Sequence, residues 1–197
     1  NGGFGKIEPM KTVGIIGGLG PETTSQFYLE VIFSCYKKSI QARPPILIWS
    51  IPLEYQIEDD LLTRAEGEER YIPYLVEAAE RLEAGGADFI VIPCNSVHLF
   101  IDEVRQAIKI PVVSIIEETS NFLKEKGIKK IGLLATKSTV EKKLYQSILN
   151  KEGVEIVLPD AHDQDRIGKL IRNIVLNRHD DKDRSELLTI IEKLGNK

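Results

Sequence analysis

The chain has 197 residues, which is enough for one large domain or two small ones with a well-filled core. Its hydrophobic fraction of 42% and charged fraction of 28% are those of an ordinary globular protein. The formal net charge of −4 is mild, no Lys/Arg-rich run occurs, and no apolar stretch approaches the roughly 20 residues of a membrane helix, so nucleic acid and membranes are not expected partners.

The cysteine content and the first residues indicate the cellular compartment. The chain has two cysteines, and its first residues, NGGFGKIEP, contain no apolar segment typical of a secretory signal. We therefore expect a cytoplasmic protein with free thiols and no disulfide framework.

Apolar runs alternate with helical patterns in the first half of the chain. Four runs predict buried strands: Val13–Ile16, Ile46–Ile51, Phe89–Ile92 and Val112–Ile116. One helical pattern follows the first strand, and a longer one runs from Ile72 to Leu82, where GG at 85–86 ends it. Strands that alternate with helices pair in parallel, so the pattern predicts an α/β fold that binds ligands beyond the carboxyl ends of its strands.

A segment of the first half recurs in the second. KTVGIIGG at 11–18 is matched by KKIGLLAT at 129–136, and VEIVLP at 154–159 follows where a second strand is due. Chance similarity is the alternative, because buried strands draw on few residue types. We interpret the repeat as two pseudo-symmetric three-layer α/β units with parallel four-stranded sheets, covering 10–124 and 125–197.

The second unit is expected to be incomplete. Cys94 lies 80 residues after Gly14, and the same offset from Gly132 reaches position 212, beyond Lys197. The second unit therefore stops before its own third strand.

Cys94 stands where the third strand ends, in IPCNSVH at 92–98. Unpaired N–H groups and the dipole at a helix N-terminus stabilise a thiolate, which would lower the pKa of this thiol below about 8.5. The alternative is a buried apolar filler, which suits Cys35 in the helical pattern VIFSCYKK. We interpret Cys94 as the functional thiol.

Polar residues follow Cys94. Asn95 and Ser96 are ordinary N-cap residues, which can also bind a small anion at the same helix end. His98, one helical turn further on, either assists the thiolate or is a solvated surface residue. The three histidines of the chain are scattered and no C-x-x-C or H-x-x-x-H pattern occurs, so no metal site is predicted.

A polar loop follows the first strand of each unit. The glycines of GGLGPETT at 17–24 do not match G-x-G-x-x-G, and no G-x-x-x-x-G-K-[ST] occurs, so a nucleotide site is not predicted. The loop still offers backbone N–H groups that suit a carboxylate as well as a phosphate. Thr136, Ser138 and Thr139 occupy the equivalent loop of the second unit. Two such loops converging on Cys94 would form a pocket for a small anion.

Together these motifs resemble the cofactor-independent aspartate/glutamate racemase family over nearly all of 10–197. The resemblance is carried by GIIGGLGPETT, IPCNSVH, PVVSIIEET and IGLLATKSTV. It implies two α/β halves that face each other across a cleft, with one cysteine from each half moving the α-proton and no cofactor. It also implies a homodimer that acts on aspartate or glutamate.

The resemblance assigns roles to individual residues. Cys94 matches the catalytic cysteine of the family's Cys-Asn-Thr motif, with Ser96 in place of threonine. The expected substrate-binding residues are Gly18, Leu19, Gly20, Ser50, Asn95, Ser96, Thr136, Ser138 and Thr139.

The chain also departs from the family. A second motif, Gly-Cys-Thr-Glu, is absent from the sequence given, and the loop after WSIP lacks the arginine of some aspartate-specific members. Racemase activity is therefore expected provided that a second cysteine follows Lys197. The alternatives are a non-catalytic binder of small carboxylates and a single-cysteine decarboxylase or cis–trans isomerase of small diacids.

Overall fold

The computed structural model describes residues 10–38, 42–64 and 67–195. Its strands are β1 (Val13–Gly17), β2 (Ile46–Ser50), β3 (Phe89–Val91), β4 (Val112–Val113), β5 (Lys130–Gly132) and β6 (Glu155–Val157). Its helices are α1 (Pro21–Lys37), α2 (Tyr55–Arg64), α3 (Ile72–Ala84), α4 (Ile101–Ala107), α5 (Ile115–Glu125), α6 (Lys137–Glu141), α7 (Gln146–Leu149), α8 (Ala161–Val175) and α9 (Asp181–Gly195). Short 3₁₀ helices cover Glu68–Tyr71 and Ser96–Phe100. No helix in these ranges combines the length and apolar character needed to cross a bilayer.

The first sheet is parallel throughout, with the strand order β2-β1-β3-β4. In the register of β1 with its two neighbours, Ile15 is aligned with Ile48 and with Val91. Ile15 and Ile16 point to opposite faces of the sheet, and both are 0% exposed, so both faces of the central strand are covered. The predicted α/β class with a parallel four-stranded sheet is confirmed.

Helix α3 packs against this sheet with one apolar side. The side chains that it buries are Leu75, Ala78, Ala79 and Leu82, which are spaced at three- and four-residue intervals, as an amphipathic helix requires. The helix ends at the predicted glycine pair. Gly86 has a φ of 91°, a left-handed conformation that favours glycine.

The fourth strand is shorter than predicted. β4 covers only Val112–Val113, and the predicted continuation to Ile116 is wrong. The reason is local, because the Ser114 hydroxyl accepts hydrogen bonds from the N–H groups of Ile116 and Glu117, each at 3.3 Å. This N-cap starts α5 at Ile115, so the apolar pair that resembles a strand begins a helix.

The second unit contains a two-stranded parallel sheet, in which Ile131 of β5 is aligned with Ile156 of β6. Both strands are shorter than the apolar runs that predicted them. A second core surrounds this sheet, and its buried members include Ile116, Leu123, Tyr145, Leu149 and Val154. Helix α5 thus contributes side chains to the second core, while the division at 124/125 remains a prediction.

Polar contacts connect the two units. The carboxylate of Glu68, which is 7% exposed, accepts a hydrogen bond from Ser138 at 2.7 Å. Arg172 on α8 donates to Asp59 on α2 at 2.7 Å. These contacts hold the two units on either side of a cleft, beyond the carboxyl ends of the strands.

Candidate active site

A cavity of about 340 Å³ lies in this cleft. The first unit lines it with Leu19, Thr23, Glu58, Tyr71, Pro93, Cys94, Asn95, Ser96 and Val97. The second unit lines it with Leu133, Leu134, Ala135, Thr136, Thr139, Tyr145, Ile171, Ile174 and Val175. Its size is that of a small-molecule site, and its position is the one where parallel α/β sheets bind ligands.

Cys94 reaches this cavity because β3 stops at Val91. The N–H of Cys94 donates to the carbonyl of Ile92 at 2.8 Å, which turns the chain away from the ladder. The 3₁₀ helix that follows begins at Ser96. Cys94 is half-buried, packed against the first core at the point where this core meets the cavity.

The pKa of the Cys94 thiol is raised, so the expected decrease is wrong. Burial is the main cause, and the backbone N–H groups of Val97 and Ser96 lower this pKa by less than burial raises it. The charge of Glu58 raises it further. The helix after Cys94 is a five-residue 3₁₀ turn, whose few N–H groups offset only part of the cost of removing a thiolate from water.

His98 is neither a solvated residue nor a partner of the thiol. It is 2% exposed, and the N–H of Ile115 donates to its Nε2 at 3.0 Å. Its Nδ1 therefore carries the proton and donates to the carbonyl oxygen of Cys94 at 2.7 Å. Burial lowers the pKa of His98, with part of the effect opposed by the bond to Cys94. This neutral imidazole connects the backbone of Cys94 to the start of α5.

Three hydroxyl groups from the two units meet at the cavity. The Ser96 hydroxyl lies 3.2 Å from that of Thr136 and 3.4 Å from that of Thr139, and the two threonine hydroxyls are 2.9 Å apart. Thr136 is the N-cap of α6 and accepts the N–H of Thr139 at 3.3 Å. The segment after Cys94 and the polar loop of the second unit therefore meet at the cavity, and they form a group of hydroxyls that can donate to a carboxylate. We call Ser96, Thr136 and Thr139 the hydroxyl cluster.

Asn95 also connects the units. Its side-chain oxygen accepts a hydrogen bond from the hydroxyl of Tyr145 in the second core. Asn95 lines the cavity, and its amide NH₂ group is a potential donor to a ligand there. The capping role expected for Asn95 is not observed, because no hydrogen bond from its side chain closes the 3₁₀ helix.

Four of the expected substrate-binding residues lie outside the cavity lining: Gly18, Gly20, Ser50 and Ser138. The N–H of Gly18 already donates to Thr24 Oγ1 at 3.1 Å, so the loop does not offer this donor to a ligand. Gly18 has a φ of 86°, and a Cβ there would lie 2.7 Å from the backbone nitrogen of Ile51. Gly18 therefore shapes the loop, and Ser138 bonds to Glu68 away from the cavity.

Four polar residues that are not among those expected from the sequence also line the cavity: Thr23, Glu58, Tyr71 and Tyr145. Tyr71 is 3% exposed, and burial holds its pKa well above the ordinary range, so its phenol stays neutral. Burial also raises the pKa of Glu58, and the nearby charge of Glu22 adds to this effect. Thr23 lies in the GGLGPETT motif, whereas no motif marks Glu58 and Tyr71, which the packing of α2 and the first 3₁₀ helix brings to the cavity.

One group of possible metal ligands lies elsewhere in the described chain, at Asp160, His162 and Asp163. Asp160 is the N-cap of α8 and accepts the N–H of Asp163 at 2.8 Å. The carboxylate of Asp163 is bonded to Arg166 and to Lys193, each at 2.9 Å. These carboxylates therefore have structural partners and lie outside the cavity lining.

Known proteins resemble both the sequence and the fold. The chain is 30% identical to the broad specificity amino-acid racemase RacX of Bacillus subtilis over 93% of its own length and 79% of that protein. The structure is similar to Picrophilus torridus aspartate racemase, with a TM-score of 0.79, 25% identity, and 95% and 77% of the two chains covered. It is also similar to an aspartate racemase homologue from Pyrococcus horikoshii, with a TM-score of 0.68, 32% identity, and 83% and 70% covered.

The sequence also matches the model of a protein family. The model described as Asp/Glu/hydantoin racemase matches residues 16–197, which include Cys94, the hydroxyl cluster and nearly all of both units. The chain therefore belongs to the Asp/Glu/hydantoin racemase family.

Proposed function

We propose that the protein is a cofactor-independent amino-acid racemase in which Cys94 is one of two thiols that move the α-proton. The observation that carries this proposal is the meeting of Cys94 and the hydroxyl cluster in one cavity between the units. The relatives support an amino-acid racemase, an isomerase, as the general activity.

The chemistry requires a base close to a very weak carbon acid. As a thiolate, Cys94 Sγ would take the α-proton. The electron pair of the broken Cα–H bond would then move into the α-carboxylate to give an enolate-like intermediate. The raised pKa of Cys94 makes its thiolate a stronger base than an ordinary one. The hydroxyl cluster and the amide of Asn95 would donate to the oxygens on which this charge develops.

The return of a proton on the opposite face requires a second acid. Of the described residues that line the cavity, Cys94 alone carries a thiol. We propose that the second thiol comes from residues that the given sequence does not include, as the offset between the repeats predicts. The sequence of the gene beyond Lys197 tests this directly, and a Cys-Thr-Glu segment within about a strand and a helix is expected.

The proposed activity is tested by exchange of the α-proton in deuterated water. The full-length protein is incubated with each enantiomer of a panel of amino acids, and α-deuterium is measured by proton NMR or mass spectrometry. Exchange accompanied by the appearance of the opposite enantiomer is expected. A folded protein that exchanges none of the panel contradicts the proposal.

The presence of one thiol among the described cavity residues keeps a single-cysteine enzyme as the second candidate. A decarboxylase or a cis–trans isomerase of small diacids would use Cys94 alone, as base or as nucleophile. A covalent adduct on Cys94 with maleate, seen by intact mass, would favour this candidate. Exchange of the α-proton without an adduct favours the racemase.

We also propose that the chain is a cytoplasmic homodimer. Helix α1 supports an interface, because Leu29, Phe33 and Tyr36 are 47%, 52% and 82% exposed, and Cys35 beside them is only partly buried. Sedimentation at micromolar concentration should give about twice the 22.1 kDa of one chain. The mass of a single chain would reject the dimer, and fractionation of the source cells tests the location.

A further inference from the structure

The described lining of the cavity offers no positive charge to the second carboxylate of an acidic substrate. Among its described lining residues, Glu58 carries the one carboxyl group, and none is lysine, arginine or histidine. Aspartate and glutamate each bring two carboxylates and one ammonium. Their second carboxylate would enter a cavity that already holds one carboxylate, and that must hold the Cys94 thiolate during the reaction.

Glu58 itself lacks a counter-ion in the described part of the chain. No ion pair or hydrogen bond of its carboxylate is present there, whereas its neighbours Asp59 and Asp60 bond to Arg172 and Arg70. The charge of Glu22 acts on Glu58, and the charge of Glu58 acts in turn on Tyr71 and Cys94. The Glu58 carboxylate is therefore partly buried beside acidic or neutral groups, with no cation paired to it among the described residues.

Arg172 does not provide this charge in the Cys94 cavity. It lines a second pocket, which we call the outer pocket, together with Glu58, Tyr55 and Leu176. It does not line the Cys94 cavity, and both its Nε and its Nη2 donate to Asp59, at 3.2 and 2.7 Å. Glu58 therefore lines both pockets and lies at their boundary, whereas the hydroxyl cluster lines only the Cys94 cavity.

The geometry points to an amino acid with a cationic side chain, such as lysine, ornithine or arginine, as the substrate, with Glu58 as the residue that selects it. The hydroxyl cluster would bind the α-carboxylate and place the α-carbon near Cys94. The side-chain cation would reach Glu58 at the boundary with the outer pocket. Its methylene groups would pack against the apolar wall formed by Leu19, Ile171 and Val175.

This inference rests on the proposed racemase activity, and it deepens that proposal by naming the substrate class. Overall charge supports it independently of the exact pose. A cationic amino acid carries a net charge of +1 and relieves the cost of burying Glu58. A dicarboxylic amino acid carries −1 and increases that cost.

The first test measures binding on the chain as it exists. In a Cys35→Ser background, iodoacetamide labelling of Cys94 is followed by peptide mass spectrometry, which distinguishes it from any thiol beyond Lys197, and its protection is titrated with lysine, norleucine and aspartate. Norleucine has the methylene stem of lysine without its charge. Lysine is expected to protect at about tenfold lower concentration than norleucine, and aspartate at higher concentration than both. Equal or better protection by aspartate or glutamate overturns the inference.

The second test replaces the carboxylate. Glu58→Gln keeps the shape and removes the charge, so it should weaken protection by lysine about tenfold and leave norleucine nearly unchanged. Glu54→Gln is the matched control, because Glu54 is exposed and does not line the cavity. If Glu58→Gln weakens lysine, norleucine and aspartate equally, Glu58 binds the α-ammonium or acts as a base, and the inference is wrong.

The third test separates specificity from activity. Deuterium exchange on the full-length protein is measured for lysine and aspartate, and a higher kcat/KM for lysine is expected. Exchange that favours aspartate overturns the inference while the racemase proposal stands. If no amino acid exchanges, the racemase proposal fails and the inference fails with it.

Discussion

Replacing Cys94 with serine is expected to lower α-proton exchange by roughly 10²- to 10⁴-fold, the contribution of a positioned general base. A hydroxyl keeps much of the shape of the thiol but is a far weaker acid, so its conjugate base is not formed near neutral pH. Cys94 is half-buried and serine has nearly its size, so the free energy of unfolding should change little. Exchange is measured by NMR in deuterated water, and stability by urea denaturation.

Cys35→Ser is the matched control for this substitution. Cys35 lies on α1 and does not line the cavity, so its replacement should leave exchange unchanged. Because the pKa of Cys94 is raised, the exchange rate should also keep rising with pH through the range in which an ordinary thiol titrates, near 8.5. An active Cys94→Ser enzyme, or loss of exchange in Cys35→Ser, would assign the chemistry to another group.

Replacing His98 with alanine is expected to lower the free energy of unfolding by roughly 2–5 kcal/mol. The substitution removes a buried side chain, and it leaves the N–H of Ile115 and the carbonyl of Cys94 without their partners. His179→Ala is the control, since His179 is exposed and its replacement should cost less than about 0.5 kcal/mol. Urea denaturation at pH 7.5 measures both values.

The same residue should make stability depend on pH. The pKa of His98 is lower in the folded protein than the value of about 6.5 expected when unfolded, because burial disfavours the imidazolium. Below about pH 6.5 the unfolded state binds the proton first, so stability is lost as the pH falls from 6.5 toward the folded pKa. This dependence should be reduced in His98→Ala. An unchanged profile between pH 6.5 and 5 would show that another group titrates there.

The sequence by itself determined the frame of the fold and the position of the thiol. Period and composition were sufficient for β1 and α3, because these elements bury apolar side chains and end at glycine. β2 was predicted by its apolar run alone, although it is an edge strand whose Ile48 is 44% exposed. The change from an apolar run to polar residues also placed Cys94 after a buried strand, at the edge where parallel sheets bind ligands. A local signal was also misread at Ser114, whose capping hydroxyl ends the fourth strand early.

Only the tertiary structure decided how these parts interact. The hydroxyl groups of Ser96 and Thr136 meet across 40 residues of sequence, and Tyr145 reaches Asn95 across 50. The direction of the Cys94 pKa shift depends on the depth of burial, and a sequence pattern gives only the N–H groups that oppose this effect. The charge of Glu58 in the cavity likewise arises from the packing of α2 near Cys94. The burial and the charge of a site depend on side chains that are distant in sequence. Local periodicity does not specify which of these side chains meet.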